Sequence, residues 1–342
     1  MSIFLNRSNA KDWTRAQKAQ FMVNKGRQEA SAQDLSKLLK NAGISPDEAY
    51  REMEDRTSII MNPAGEFATY SRIAAKSKSV HLGKLSYVYR QASAQSGGTI
   101  SMSGQTGIIT DAGEYKNAGT VIPVIDKGIK RDWRENMTLS ADGFDAWVDD
   151  AREGALVILR TADTYLWDGN SGIKSPDGYS WLGIKNDTSL VQATVGVDLA
   201  SSAVTAANKV AEVTRLRDLL RITNNCSSMI ELAVSRETLS NWEQTPYSVN
   251  DQGFGTILTF VRGLSGIASV YEEPKLSGGF QVLMAYIDLD GLHSVTGQAM
   301  SSYMDQRTKH NDPFIMVKWM AQGFVAKNTF SGQKCALYGK AA

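Results

Sequence analysis

Residues 120–136 read TVIPVIDKGIKRDWREN. The stretch is a β-branched run broken by Pro123 and closed by charges around a single tryptophan. Before it, residues 79–119 are dominated by Gly, Ser, Thr, Gln and Ala with scattered single hydrophobics. Within that segment SVHLGKLSYVYRQ alternates at Val80, Leu82, Leu85, Tyr87 and Tyr89, the period of a strand. Short β fragments between glycines follow it. A run of this length and composition inside a compact domain is either functional or disordered, and the alternation argues for a long two-stranded arm. Such a hairpin is marginal alone and needs a neighbour to lie on. Pro123 confines the return strand to a sheet edge or a bulge. The pattern buries Val121, Ile122, Val124, Ile125 and Ile129 and leaves Lys127, Lys130, Arg131, Asp132, Arg134 and Glu135 in water.

After the return strand comes SADGFDAWVDDAREGALVILRTADTYLWDG, residues 140–169. Phe144, Val148, Ala151, Ala155, Ile158, Ala162 and Tyr165 fall on one stripe, broadened by Trp147, Leu159 and Leu166. With Ser140 as N-cap and Gly169 as terminator, this predicts a spine helix of about eight turns. A Gly/Asn/Pro-rich excursion ending in WLGIKN follows, then a second amphipathic helix over roughly 205–222. MIELAVS, GIASVYEEPKL and FQVLMAYIDL read as strands, and RETLSNWEQ and GTILTFVRGL as short helices, together a compact α/β unit. The tail from Asp312 holds two or three strands.

The first 40 residues hold eight lysines and arginines against three acidic residues, a net of five positive charges on a chain whose total is +1. Their short helices have thin apolar stripes, so they read as a basic arm that lies on an acidic surface, nucleic acid or a partner. At 42% hydrophobic and 21% charged residues, the chain as a whole reads as one that folds and buries a core. No stretch has the apolar length of a membrane span, and MSIFLNRSNAKDW lacks a signal-peptide core, so a cytosol-like compartment is expected. Cys226 and Cys335 stand far apart and outside any CxxC. They are read as buried free thiols, with no disulfide and no zinc site.

Catalytic motifs are missing from the sequence. His81, His293 and His310 are scattered, and no HExxH, GxSxG, P-loop or GxGxxG is found. Gly263–Gly266 has the wrong spacing for a nucleophile elbow. Asp288–Gly291 lacks the closing ligands of a calcium loop, and Asp149–Asp150 reads as solvated carboxylates. The expectation is a chain that is not an enzyme and has no cofactor or metal. A hydrolase or transferase on the 205–290 unit would need a pocket with converging polar groups.

The order of parts is the informative feature: basic N-arm, glycine-rich β-arm, VIPVIDKGIKRDWREN leading into one long helix, WLGIKN after it, an α/β unit, and strands returning to the body. This order resembles the major capsid proteins of tailed phages, the HK97-type fold, and the related encapsulin shell proteins. The resemblance implies an α+β fold with an N-terminal helical arm over 1–65 and an extended E-loop with its base over 66–119. A P-domain over 120–204 would carry the spine helix at about 140–168, an axial A-domain would span 205–300, and 301–342 would supply P-domain strands. It implies a structural protein that self-assembles into pentamers and hexamers of an icosahedral phage head around double-stranded DNA, assembled in the host bacterial cytoplasm. The alternative is an encapsulin-type shell around a cargo enzyme. Implied partners are further copies of the chain, a portal, a scaffolding protein, decoration proteins and packaged DNA bound non-specifically, with no membrane. The return-strand group Lys130, Arg131, Asp132, Trp133, Arg134 and Glu135 is expected to meet neighbouring subunits, and Lys11, Arg15 and Lys18 to face DNA or scaffold. Some members of the family crosslink Lys to Asn. Lys84, Lys116 and Asn117 do not match that chemistry, and no crosslink is expected.

Overall fold

The computed structural model describes residues 65–98, 100–102, 110–141, 146–249 and 252–341. One compact unit comprises Pro63–Trp133 with Ala146–Ala342, and a second contains Arg134–Asp145. The basic N-arm, with Lys11, Arg15 and Lys18, lies outside the described residues.

In chain order the elements begin with helix α1 (Ala68–Ala75), strand β1 (Ser77–Ser79), β2 (Ser86–Ala92), β3 (Tyr115–Val121) and β4 (Val124–Arg131). Helix α2 (Trp133–Ala141) and the spine helix α3 (Ala146–Asp168) follow, then β5 (Val191–Thr194) and α4 (Ala206–Asp218), which runs into a π turn at Leu219–Thr223. The remaining elements are β6 (Ile230–Val234), α5 (Arg236–Gln244), β7 (Pro246–Val249), β8 (Gln252–Thr256), α6 (Ile257–Arg262), β9 (Ile267–Glu272), β10 (Val282–Ala285), β11 (Leu292–Met304), β12 (Phe314–Ala326) and β13 (Ala336–Lys340).

A five-stranded sheet in the order β5-β13-β10-β6-β9 is apolar on both faces, and strict alternation sends its side chains to two different cores. Leu283, Ala285, Ala233 and Tyr338 join the core around α3, with Ile158, Ala162, Leu166, Trp167 and Phe324. Val282, Met284, Leu232, Val234 and Leu337 join the core beneath α4, α5 and α6, with Val213, Leu216, Trp242 and Val261. This is why VLMA reads as an unbroken apolar run and IELAV as one interrupted by Glu231, which pairs with Arg72. α4, α5 and α6 each start on a hydroxyl cap, Thr205, Ser235 and Thr256, whose side chain accepts the amide three residues on.

The second sheet, β1-β11-β12-β4, leaves β4 on an edge, as a strand opening just after Pro123 requires. β12 also divides its side chains. Met320 and Phe324 go to the α3 core, while Ala321 and Val325 meet Ile122, Val295, Tyr87 and Tyr89 under the arm.

Several expectations are corrected. Cys226 and Cys335 are not free thiols: they form a disulfide with Cα atoms 5.5 Å apart, because the fold brings the loop after the π turn to the start of β13 across 109 residues of sequence. The return strand stops at Arg131, and Trp133, Arg134 and Glu135 open α2. Asp132 stands at the N-cap position with Glu135 three residues on, a helix-start spacing that outweighs the preceding strand pattern. Ser140 therefore lies within α2 rather than capping the spine helix, and α3 begins at Ala146. Val124 and Val148 are exposed rather than buried. Strand β11 was not expected from its polar sequence.

Candidate assembly surfaces

The spine helix ends by a device that depends on WLGIKN. The carbonyls of the last turn have no partner within the helix, and this loop supplies them. Gly169 N–H donates to Tyr165 O at 3.0 Å, Ile184 N–H to Leu166 O at 3.1 Å and Lys185 N–H to Trp167 O at 3.0 Å. Trp181 Nε1 adds a second bond to Leu166 O at 3.1 Å, and Asn186 Nδ2 reaches Asp168 O at 2.8 Å. Approach this close requires glycine on both sides. Gly169 has φ +66° and Gly183 φ +84°, and a Cβ on Gly183 would stand 2.3 Å from the carbonyl carbon of Asp168.

The arm pairs β2 with β3 antiparallel from Ser86↔Val121 to Ala92↔Tyr115. Its base is fastened to the body of its own chain. Tyr89 hydroxyl donates to Asn328 Oδ1 at 2.5 Å, and Asn328 N–H donates back to Tyr89 Oη at 3.2 Å. Gln91 Nε2 donates to both Asn328 oxygens. Burial pushes the Tyr89 hydroxyl pKa up, so it stays a neutral donor. Lys116 Nζ lies 4.2 Å from the centroid of the Phe330 ring. The return of the arm presses on Gly323, where a Cβ would come within 2.3 Å of Val121 O. Burial holds the His293 imidazole below its usual range, edge-on to Tyr87 at 6.2 Å.

Beyond Ala92 the ladder ends. Ser93 N–H still reaches Glu114 O at 2.8 Å and Ser96 N–H the Asp111 carboxylate at 2.8 Å. Ile100 and Met102 are fully exposed there, and Leu85 and Tyr115 lie more than half exposed nearer the base. Exposed large apolar side chains grouped on one projecting element mark an interaction surface.

On the body, a groove of about 580 Å³ runs between β4 and α3, with Pro123, Val124, Ile125, Val157, Thr161 and Tyr165 among its lining. Gly154 lets α3 approach β4, since a Cβ there would meet Ile129 Cδ1 at 2.7 Å. Of the return-strand group, Lys130 is exposed on β4, and its Cα partner is Ile315. Arg131 is half-buried, with Nε 2.5 Å from Asp150 Oδ2 and its guanidinium 6.0 Å from the Trp147 ring. Trp133 packs edge-on to His310 at 6.2 Å. Asp132, Arg134 and Glu135 are exposed. Lys130, Arg131, Asp132 and Trp133 belong to one unit, with Arg131 already engaged within its own chain, and Arg134 and Glu135 belong to the other. Sequence reasoning missed Asn328 and the pairing of Gly169 with Gly183, since no local pattern announces a partner so far along the chain.

The chemical inventory of the body is sparse. Among the described residues no group of three or more His, Cys, Asp or Glu comes together as a metal site, and no helix is long and apolar enough to cross a membrane. Asp163 is fully buried on α3, 3.5 Å from Lys275 Nζ. Loss of hydration raises its pKa to about 6, helped by the nearby Glu273 and opposed by Lys275.

Comparison with known proteins bears on these surfaces. A family model described as "Family of unknown function (DUF6260)" matches residues 40–339. No curated protein matches the sequence. Among solved structures, the capsid of Myoviridae phage XM1 aligns at a TM-score of 0.64 and 10% identity over 87% of this chain and 99% of that one. The capsid of the native GTA particle aligns at 0.56 and 12% identity over 87% and 98%. The virus-like particle from Pyrococcus furiosus aligns at 0.51 and 12% identity over 79% and 90%. At such identities the likeness is one of fold, and the fold is the α+β HK97-type capsid fold expected from the order of parts.

Proposed function

The chain belongs to that family of unknown function, and from this premise we propose that it is the major capsid protein of a tailed phage. It assembles with further copies of itself into pentamers and hexamers of an icosahedral head around double-stranded DNA, in the cytoplasm of a bacterial host. The observation that carries this reading is the arm. Among the described residues it is fastened to the body at its base, and beyond that base it carries Ile100 and Met102 fully exposed. In an assembly these side chains lie on the neighbouring copy, and the groove between its β4 and α3 offers them Pro123, Val124, Ile125 and Val157, alongside the charged Asp126 and Arg160. The charges of Lys130, Arg131, Asp132, Arg134 and Glu135 then select orientation at the interface more than they add affinity.

A portal, a scaffolding protein and decoration proteins are the partners this role calls for. The basic residues Lys11, Arg15 and Lys18 face the packaged DNA or the scaffold. Replacing these three should weaken salt-dependent binding of non-specific DNA to assembled shells, and an unchanged salt slope would sink that assignment.

The likeness to the Pyrococcus furiosus particle supports a second reading, an encapsulin-type compartment around a cargo enzyme. Its lower TM-score and coverage make it the weaker one. The role is that of a structural protein in either case. The test is to express the chain alone and image it by electron microscopy after light scattering. Closed shells, or pentamers and hexamers with shell fragments, are expected, and their diameter and contents separate the two readings. A monodisperse monomer at every salt and concentration would overturn both.

A further inference from the structure

The disulfide and the arm meet at one short hairpin. Asn328 and Lys334 form an antiparallel bridge around a turn in which Thr329 N–H donates to Gln333 O at 2.9 Å and Gly332 adopts φ +83°. One end of this hairpin holds the arm, through Asn328 to Tyr89 and Gln91 and through Phe330 to Lys116. The other end runs directly into Cys335, bonded to Cys226 beyond the π turn. Polar bonds support the same end: Asn224 Nδ2 to Lys334 O at 2.7 Å, and Lys334 Nζ to the Asp187 carboxylate at 3.0 Å. Cys226 is buried, whereas Cys335 is half-buried and lines an open cleft of about 450 Å³. The same cleft is walled by Tyr89, Arg90 and Gln91 of the arm and by Lys327 and Asn328. The cleft beneath the arm gives a small thiol or disulfide a route to the bond; of its charged lining, Lys327 is paired with Asp290 at 3.1 Å and Arg90 lies over the Tyr115 ring.

We propose that the hairpin 328–334 is a redox-controlled clasp on the arm, closed when Cys226 and Cys335 are bonded and loosened when a small thiol opens them. In opening, a thiolate attacks Cys335 Sγ, the Sγ–Sγ bond breaks, and Cys226 leaves as a thiolate that takes a proton. A second thiol then attacks the mixed disulfide, giving the small disulfide and Cys335 thiol. The two small thiols are oxidised and the cystine is reduced by the same two electrons. Closure is the reverse, with a small disulfide as oxidant. The proposal concerns the order of the arm within one chain, so it stands or falls separately from what the arm binds in an assembly.

The test is hydrogen–deuterium exchange read by mass spectrometry on the full chain, below its assembly concentration, in glutathione disulfide and in dithiothreitol. Reduction should speed exchange at 86–92 and 115–121 by about five-fold or more, as a loss of roughly 1 kcal/mol of local stability gives. Residues 158–166 of the spine helix should be unaffected. Asn328→Ala should show fast arm exchange in both buffers, including in glutathione disulfide, where the disulfide is intact. Two free thiols after equilibration with glutathione disulfide would overturn the proposal. So would arm exchange that is equal in the two buffers, or that rises only together with the spine helix. An Asn328→Ala arm that stays protected and redox-responsive would overturn it as well.

Discussion

Alanine at Gly183 should destabilise the chain far more than alanine at Gly178, although both glycines have nearly the same backbone. Their φ angles are +84° and +83°, so the conformational strain of a side chain is common to both and amounts to about 1–2 kcal/mol. Nothing lies within 4 Å of the Cβ that would be added at Gly178. At Gly183 the new Cβ would stand 2.3 Å from Asp168 C, 2.4 Å from Gly169 N and 2.6 Å from Trp167 O, all of them backbone atoms. The loop must withdraw from the helix end by about 1 Å to restore ordinary contact near 3.5 Å. That withdrawal lengthens the bonds from Ile184, Lys185, Trp181 and Asn186 to the terminal carbonyls. Each contributes about 0.5–1.5 kcal/mol net, and losing half of the set adds about 2 kcal/mol. The expected cost is about 3–4 kcal/mol for Gly183→Ala against about 1–2 kcal/mol for Gly178→Ala. Urea unfolding of the unassembled chain, followed by tryptophan fluorescence, measures both, since Trp167 and Trp181 are buried in the core around the junction. Variants that agree within about 1 kcal/mol would refute the argument that WLGIKN is held by glycine-to-backbone contact.

Three further outcomes follow from particular side chains. The folded-state pKa of Asp163 is raised from 3.8 to about 6, so its favourable contribution is complete below pH 3.8 and is lost as pH rises through 6. Asp163→Asn should therefore raise stability at pH 7 by roughly 1–3 kcal/mol with little gain at pH 4. Urea midpoints showing a gain that does not grow between pH 4 and 7 would contradict this. Arg131→Met leaves the partly buried Asp150 without its partner and should cost the isolated chain about 1.5–3 kcal/mol by the same assay; no loss would mean the pair matters only between subunits. Replacing both Ile100 and Met102 by serine should leave chain stability within about 0.5 kcal/mol, because both side chains are in water. The same double change should raise the critical concentration for assembly by about ten-fold or more, and light scattering that shows no shift would remove the arm from the contact.

What the sequence reveals depends on how far apart the cooperating residues are. Ile158, Ala162, Tyr165 and Leu166 could be read because a 3.6-residue period is a local property, and each is buried as that period requires. IELAV and VLMA could be read as buried strands for the same reason, although not that their alternate residues serve two cores. The errors arise where a local pattern competes with another or where a partner is distant. Lys130 and Arg131 continue a strand pattern into residues that a capping spacing turns into a helix. Tyr89 and Asn328 meet across 239 residues, Cys226 and Cys335 across 109, and no periodicity within a short window encodes either pair. LHSVTGQAMSSYM hides strand β11 because its second half is largely exposed, so selection for an apolar face is absent there.

The same reasoning accounts for the composition of the arm, the feature least like a globular domain. A strand pair that must order only at its base needs apolar contacts only there. Those contacts are present, in Tyr87 and Tyr89 against Val295 and Val325. Past Ala92 the backbone leaves its ladder, and the glycines at 97, 98 and 113 leave several backbone conformations accessible. In the proposed head, copies placed in pentamers and in hexamers would meet neighbours at different angles, so a rigid tip would fit only one of them. On that proposal Ile100 and Met102, fully exposed among the described residues and flanked by glycine and serine in sequence, would seat as the same anchors at either angle, at the entropic cost of ordering on contact. The anchors and the hinge thus make opposite demands on sequence, apolar bulk and conformational freedom. The alternation of single hydrophobics with glycine and serine along 93–114 satisfies both.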